Sequence, residues 1–127
     1  MSPIKMGKVE KANRLVLRYI EAINDQQLGT IENLLNSECV WETSIQAPEY
    51  NRIIGRKNIM EYWKNKFEDG LKYSIKVEEI MGLGIRCIIF EHIEKENSEG
   101  QYIISREVEI FEVKGEEIIK IRSYAKI

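Results

Sequence analysis

The sequence contains few of the side chains that most metal and nucleophile sites use. Its 127 residues include one histidine, His92, and two cysteines. A zinc site with several histidines is therefore excluded, and Cys39 and Cys87, far apart and without a C-x-x-C spacing, are expected to be buried free thiols. No glycine-rich phosphate-binding motif occurs either. We expect no metal and no cofactor.

The sequence also has no large excess of charge of one sign and no long apolar run. The 19 basic and 21 acidic residues give a net charge of −2, which excludes a strong positive field for nucleic acid. No apolar run approaches the roughly 20 residues that span a bilayer, and the first residues lack a secretory signal. With 43% hydrophobic residues and only 2 prolines, the composition is globular. We expect one cytoplasmic domain, residues 1–127, that binds neither nucleic acid nor membrane.

The periodicity of the apolar residues predicts three helices followed by a strand meander. The predicted helices cover residues 9–24, 28–35 and 57–67. One early strand at 39–43 precedes a long loop, 44–54, which contains Pro48. The later strands are predicted at 73–78, 86–95, 101–113 and 118–127. This order predicts an α+β domain whose helices cover one face of a curved antiparallel sheet.

Several segments in this order carry a resemblance to a known superfamily. They are Arg18 to Asn24, Val40-Trp41-Glu42, Gly55 to Trp63, Phe111 to Gly115 and Arg122-Ser123-Tyr124. The chain resembles nuclear-transport-factor-2-like proteins, which include SnoaL-like polyketide cyclases and ketosteroid isomerases. The resemblance covers nearly the whole chain. It implies a cone-shaped fold in which three N-terminal helices pack on a curved, mainly antiparallel sheet and enclose a pocket.

The resemblance to ketosteroid isomerases implies two hydrogen-bond donors to a developing enolate oxygen. Tyr19 matches the tyrosine of the first helix, and Glu109 matches a protonated acid on the penultimate strand. Each residue also has a structural interpretation. Tyr19 lies on the apolar face of its helix, where it can simply be part of the core. Glu109 faces solvent if Val108 and Ile110 face the core, and the apolar bulk of those two residues favours that parity.

The general base of such isomerases has no direct match in this sequence. Thr43 stands at the matching position, and a threonine is no base near neutral pH. Glu42 is one residue earlier and points to the opposite face of a regular strand, so it reaches the pocket only through a bulge or a gap. His92 can titrate near neutrality and is a second candidate base, or else a structural residue.

Two other reactions on this fold lack a required residue. Lys126 stands where SnoaL-like cyclases tend to carry an acid shortly after the tyrosine of the last strand. The paired aspartates of the epoxide hydrolases on this fold are excluded, because Asp25 and Asp69 are the only aspartates and both are badly placed.

Aromatic side chains are candidates for the wall of the pocket, or alternatively for the core. They are Trp41, Tyr62, Trp63, Phe90 and Tyr124. Arg106 would attract a carboxylate if it lay inside the cone; otherwise it pairs with a neighbouring glutamate. An aromatic wall with few polar groups is typical of a site for a small apolar or cyclic organic ligand.

Three functions remain open at this point. The first is an isomerase or cyclase that transfers a proton next to a carbonyl, and the second is ligand binding without chemistry. The third is assembly. Cys87 to Phe90 carries apolar side chains on both faces of its predicted strand, which indicates that the outer face of the sheet is covered as well. We expect a homodimer through that face, which is compatible with either of the other functions.

Overall fold

The computed structural model describes residues 7–44 and 51–125. Its three helices are α1 (Lys8–Asn24), α2 (Leu28–Leu34) and α3 (Arg56–Glu68). Its six strands are β1 (Leu35–Ser44), β2 (Asn51–Ile54), β3 (Lys72–Leu83), β4 (Arg86–Glu96), β5 (Tyr102–Lys114) and β6 (Glu117–Ala125). The predicted α+β class and the order of helices and meander are confirmed. No helix in this part of the chain combines the length and apolarity needed to cross a membrane.

Two predicted elements around β1 need correction. Leu35 fits the helical spacing of α2, but its backbone is extended and it pairs with Ile118 as the first residue of β1. The end of the predicted loop is a strand, β2, which pairs antiparallel with β1. Both differences have the same cause, since strand pairing across long sequence distances overrides the local pattern. Pro48 lies outside the described residues.

The strands form one mixed sheet in the order β2-β1-β6-β5-β4-β3. The β1–β6 pair is parallel and all other pairs are antiparallel, so the prediction of a mainly antiparallel sheet is confirmed. The helices cover one face, with α1 against β3 and β4 and α3 against β1. That covered face, called the inner face below, carries the core.

The two cysteines belong to this core. Cys39 and Cys87 are free thiols, and both are fully buried. Burial raises the pKa of Cys39 to about 12 and that of Cys87 to about 11, so neither is a reactive thiolate at neutral pH. The expectation of two buried free thiols is confirmed.

Asn24 fixes the C-terminal end of α1 to the sheet. Its side-chain amide donates to the Ile75 carbonyl oxygen at 2.9 Å, and the Ile75 N–H donates to the Asn24 side-chain oxygen at 2.7 Å. One side chain therefore satisfies both backbone groups of a residue on β3, which is an edge strand.

We expect Asn24→Ala to lower the free energy of unfolding by about 2 kcal/mol, because it leaves a donor and an acceptor of Ile75 without partners. Urea unfolding followed by circular dichroism measures the change. Asn33→Ala, at an exposed position of α2, is the matched control and should change stability by less than about 0.5 kcal/mol. Equal stability of the two variants would contradict this role of Asn24.

Candidate functional site

Three glutamates lie on the inner face of the sheet, where alternation normally places apolar side chains. Glu91 on β4 is 1% exposed, and Glu107 and Glu109 on β5 are 5% and 7% exposed. Glu91 and Glu107 are directly opposite each other across the β4–β5 pair. A carboxylate without partners is costly to bury, so each of these groups must be neutral, hydrogen-bonded or paired.

Glu109 is held by a chain of hydrogen bonds from the two neighbouring strands β6 and β1. The Ser123 hydroxyl on β6 donates to the Glu109 carboxylate. The indole N–H of Trp41 on β1 donates to the same Ser123 oxygen at 2.9 Å. The two bonds join three neighbouring strands and fix both the carboxylate and the Trp41 ring.

The Tyr19 hydroxyl on α1 is the second fixed polar group of the interior. It accepts a hydrogen bond at 3.1 Å from the indole N–H of Trp63 on α3. Burial, with the charge of Glu109 as the next cause, raises the pKa of Tyr19 well above its usual 10.0. Tyr19 is therefore a neutral phenol whose own proton is available for donation.

The other two glutamates differ in how easily they ionise. Burial, reinforced by Glu109, raises the pKa of Glu91 far above its usual 4.5. Neither carboxyl oxygen of Glu91 has a partner at normal hydrogen-bond geometry among the described residues, so Glu91 is neutral. Burial and Glu109 raise the pKa of Glu107 to about 7, while Lys95 lowers it. Glu107 therefore exchanges its proton near neutral pH.

A cavity of about 40 Å³ lies beside these groups, which is room for about three waters. Its polar wall consists of Lys95, Glu107 and Glu109. Its aromatic wall consists of Tyr19, Trp41, Tyr62, Trp63 and Tyr73. A larger hollow of about 310 Å³ lies near Lys8, Lys11 and Lys114, but none of the buried acids lines it.

The aromatic wall is built around Trp63. Its ring stacks on Trp41, with centroids 5.3 Å apart and 16° between the planes. Tyr62 packs edge-on against both tryptophans, at 5.0 and 5.2 Å, and Tyr73 packs edge-on against Trp63 at 5.4 Å. These contacts bring α3, β1 and β3 together around the cavity.

A family model described as a SnoaL-like domain matches residues 16–121. The chain belongs to the SnoaL-like family. The matched range contains every residue that lines the cavity and all three buried glutamates. Ser123 lies just beyond it. No curated protein sequence matches this SnoaL-like domain.

Solved structures with the same architecture come from several bacteria. An LEH-like epoxide hydrolase from M. tuberculosis has a TM-score of 0.85 at 17% identity, over 94% of this chain and 86% of that one. An NTF2-like protein of unknown function from Mesorhizobium loti has a TM-score of 0.74 at 20% identity, over 100% of each chain. A candidate polyketide cyclase from Xanthomonas campestris pv. campestris has a TM-score of 0.76 at 18% identity, over 94% and 93%.

At these identities the likeness concerns the fold alone. The predicted nuclear-transport-factor-2-like cone is confirmed. Asp25 and Asp69 are exposed residues at the ends of α1 and α3, so they form no aspartate pair in the interior.

Five of the site residues predicted from the sequence come together in the SnoaL-like domain. They are Tyr19, Glu109, Trp41, Tyr62 and Trp63, which all line the cavity. The solvent-facing parity favoured for Glu109 is wrong. Val108 and Ile110 are half-buried on the outer face, because Phe111 and Val113 share the parity of Glu109 and are anchored in the core.

Glu42 does not reach the cavity. The pairing of β1 with β6 is regular from Val40 to Ser44, so neither a bulge nor a gap turns the Glu42 side chain inward. Its carboxylate lies instead among three cations: Arg52 at 3.7 Å, Lys120 at 3.4 Å and Arg122 at 3.9 Å.

Four further candidates also lie away from the cavity. His92 and Phe90 are half-buried at even positions of β4, opposite in parity to the buried Glu91, and the His92 ring is 3.4 Å from Glu94. Arg106 pairs with Glu78 at 3.4 Å, the alternative left open above. Tyr124 is 39% exposed. Strand alternation places all four side chains outside the cone.

Sequence reasoning missed five polar or aromatic residues of the interior. They are Tyr73, Glu91, Lys95, Glu107 and Ser123. A signal for Glu107 was present, because Glu107 and Glu109 continue the alternation of Phe111 and Val113 along β5. Within the described residues, no group of three or more His, Cys, Asp or Glu side chains is arranged to hold a metal ion.

The interior acids predict an unusual pH dependence of stability. The pKa of Glu107 is about 7 in the folded protein and near 4.5 when unfolded, so its contribution is complete below pH 4.5 and is lost as the pH rises through 7. Glu91, with its higher folded pKa, extends this loss to more alkaline pH. We expect stability to fall between pH 5 and 9, with each group contributing at most about 1.4 kcal/mol per pH unit.

Urea unfolding at several pH values measures this dependence. Glu107→Gln should flatten the curve between pH 5 and 7 only, and Glu91→Gln should flatten it over the whole range. Glu61→Gln, at an exposed position of α3, should leave the curve unchanged. A wild-type stability that rises over this range would show that the acids are not held with raised pKa values.

Proposed function

We propose that this SnoaL-like domain is an enzyme that transfers a proton on a small organic molecule, next to a carbonyl group. The observation that carries the proposal is the Glu107 carboxyl, which lines the cavity and has a pKa of about 7. A group with that pKa is substantially present in both protonation states at neutral pH, as general acid–base catalysis requires.

Glu107 supplies the base that the position of Thr43 lacks. It comes from β5, whereas Thr43 and Glu42 are on β1. Lys95 counteracts the effect of burial on the pKa of Glu107 and so keeps the ionised form accessible. A base on a different strand still faces the same cavity, because both strands belong to one curved sheet.

Tyr19 is the proposed donor to the carbonyl oxygen. Its phenol is neutral, lines the cavity and accepts a hydrogen bond from Trp63, which strengthens the hydroxyl as a donor. Donation becomes stronger as negative charge develops on the substrate oxygen. Glu109 accepts from Ser123, so we assign it to positioning rather than to donation.

Binding without chemistry is the second candidate function. The small volume of the cavity, about 40 Å³, favours it, because a substrate of the size of a cyclic ketone requires the aromatic wall to move. Binding that is not accompanied by proton exchange distinguishes this function from the first.

Exchange of α-hydrogens for deuterium, followed by NMR on a panel of small cyclic ketones, tests the enzymatic proposal. The wild type should accelerate exchange, with a rate that increases as Glu107 ionises through pH 7. Glu107→Gln should lose about 100-fold or more, and Tyr19→Phe at least about 10-fold.

Two outer-face variants serve as controls for this assay. His92→Gln and Glu42→Gln change titratable side chains outside the cavity and should retain the wild-type rate. Loss of exchange in these variants, with full activity in Glu107→Gln, would overturn the assignment of the base.

We also propose a homodimer through the outer sheet face. Ile88, Phe90, Val108 and Ile110 form one apolar patch there, since Phe90 pairs with Val108 and Ile88 with Ile110 across β4 and β5. Sedimentation should give a dimer at micromolar concentration and a folded monomer for Val108→Lys. Leu17→Lys, at an exposed position of α1, should remain dimeric, and a monomeric wild type would contradict the proposal.

A further inference from the structure

The geometry points to a small organic cation, an alkylammonium group, as the ligand that this cavity selects. The ammonium would lie between the aromatic rings and the carboxylates of Glu107 and Glu109. This inference rests on the proposed function and names its substrate class: a small molecule that carries a positive charge as well as the group that exchanges a proton.

The charges around the cavity favour a cation. Glu107 and Glu109 line it, whereas the buried Glu91 beside Glu109 is neutral and adds no charge. Lys95 is the one cationic side chain among the described residues of the wall. Low-dielectric walls concentrate the field of the carboxylates, so a cation that enters is stabilised more strongly than at an exposed site.

The aromatic rings favour a cation as well. Three successive ring pairs are nearly perpendicular: Trp41 with Tyr62 at 85°, Tyr62 with Trp63 at 81°, and Trp63 with Tyr73 at 77°. The face of an aromatic ring carries negative charge density and attracts ammonium groups. Rings at right angles around a small space form walls on more than one side of a compact ligand.

Two of these rings already bind ammonium groups of the protein itself. The Lys95 ammonium lies 5.4 Å from the centre of the Tyr73 ring, and the Lys66 ammonium lies 5.5 Å from the centre of the Tyr62 ring. Both distances are within the range of a cation–π interaction. A ligand ammonium would use the same chemistry, with a carboxylate as its counter-ion.

Other ligand classes fit this wall less well. A carboxylate ligand would be repelled by Glu107 and Glu109. A neutral apolar ligand would displace water from the carboxylates without replacing the hydrogen bonds of that water, which is costly. The volume of about 40 Å³ limits the ligand to a few heavy atoms, so trimethylammonium is a suitable size for a probe.

Binding should depend on the ionisation of Glu107. The charged or titratable groups that face Glu107 are Glu109 on its own strand, the neutral Glu91 and Lys95 on β4, Tyr62 on α3 and Tyr73 on β3. Of these, the two tyrosines stay neutral because burial raises the pKa of each. A cation therefore binds more tightly as the pH rises through 7 and Glu107 becomes charged.

Tryptophan fluorescence provides a direct readout. The chain has two tryptophans, and both belong to the cavity wall. Titration with trimethylammonium chloride, against sodium chloride at the same ionic strength, should give saturable binding. The affinity should exceed that for the neutral tert-butanol, which has a similar shape, by about 10-fold, and should increase by about 5-fold from pH 6 to pH 8.

Two variants of opposite expected effect make the test independent of folding defects. Glu107→Gln should weaken trimethylammonium binding by about 10-fold and remove the pH dependence. Lys95→Met removes the competing cation, but it also removes the charge that lowers the pKa of Glu107. The comparison is therefore made at pH 9, where Glu107 is ionised, and there this variant should bind about 5-fold more tightly. Glu42→Gln, which changes an acid on the outer face, should bind as the wild type does.

The outcomes also separate this inference from the proposed function. Cation binding without exchange on any ketone would support the inference and reject the enzymatic proposal. Exchange on neutral ketones without cation binding would do the reverse. Tighter binding of tert-butanol or acetate than of trimethylammonium, or weaker cation binding by Lys95→Met at pH 9, would overturn the inference.

Discussion

The burial of carboxyl groups is the constraint to which the rest of the interior is fitted. Glu91, Glu107 and Glu109 are each less than a tenth exposed, and a charged carboxylate in such a position is stable only with partners. Glu91 meets the constraint by remaining protonated, and Glu109 meets it through Ser123. Glu107 is neither fully neutral nor fully ionised at neutral pH, since burial raises its pKa and Lys95 lowers it. This intermediate pKa is what makes Glu107 useful for proton transfer.

The polar contacts of the interior also hold the secondary structure around the cavity. Trp63 binds Tyr19 and so joins α3 to α1, while Trp41 binds Ser123 and joins β1 to β6. Asn24 joins α1 to β3 at the rim of the same region. Because buried polar partners are costly to separate, these bonds fix the aromatic rings in position. The cavity is thus shaped by the same contacts that stabilise the fold.

Local patterns were sufficient to predict most of the fold and half of the cavity wall. The helical period identifies α1 and α3, and with them Tyr19 and Trp63. It fails where distant pairing decides the structure: Leu35 extends β1, and β2 forms only because β1 lies beside it. The predicted orientation of Glu109 is wrong for a related reason. Val108 and Ile110 are apolar although they lie on the outer face, so local composition could not assign the parity, which Phe111 and Val113 determine from the far end of the strand.

The inner face does not need acids at these three positions for its stability, since isosteric apolar replacements of buried charged groups are often neutral or stabilising. Strand pairing does not require the acids, because Ile89, Ile93 and Phe111 occupy equivalent positions on the same face. Buried groups with raised pKa values, as Glu91 and Glu107 have, are typical of functional sites, where stability is given up for chemistry. The acids therefore argue for a role in binding or catalysis that an aromatic wall alone would not support. That argument holds for Glu107 above all, because it both lines the cavity and titrates near neutral pH.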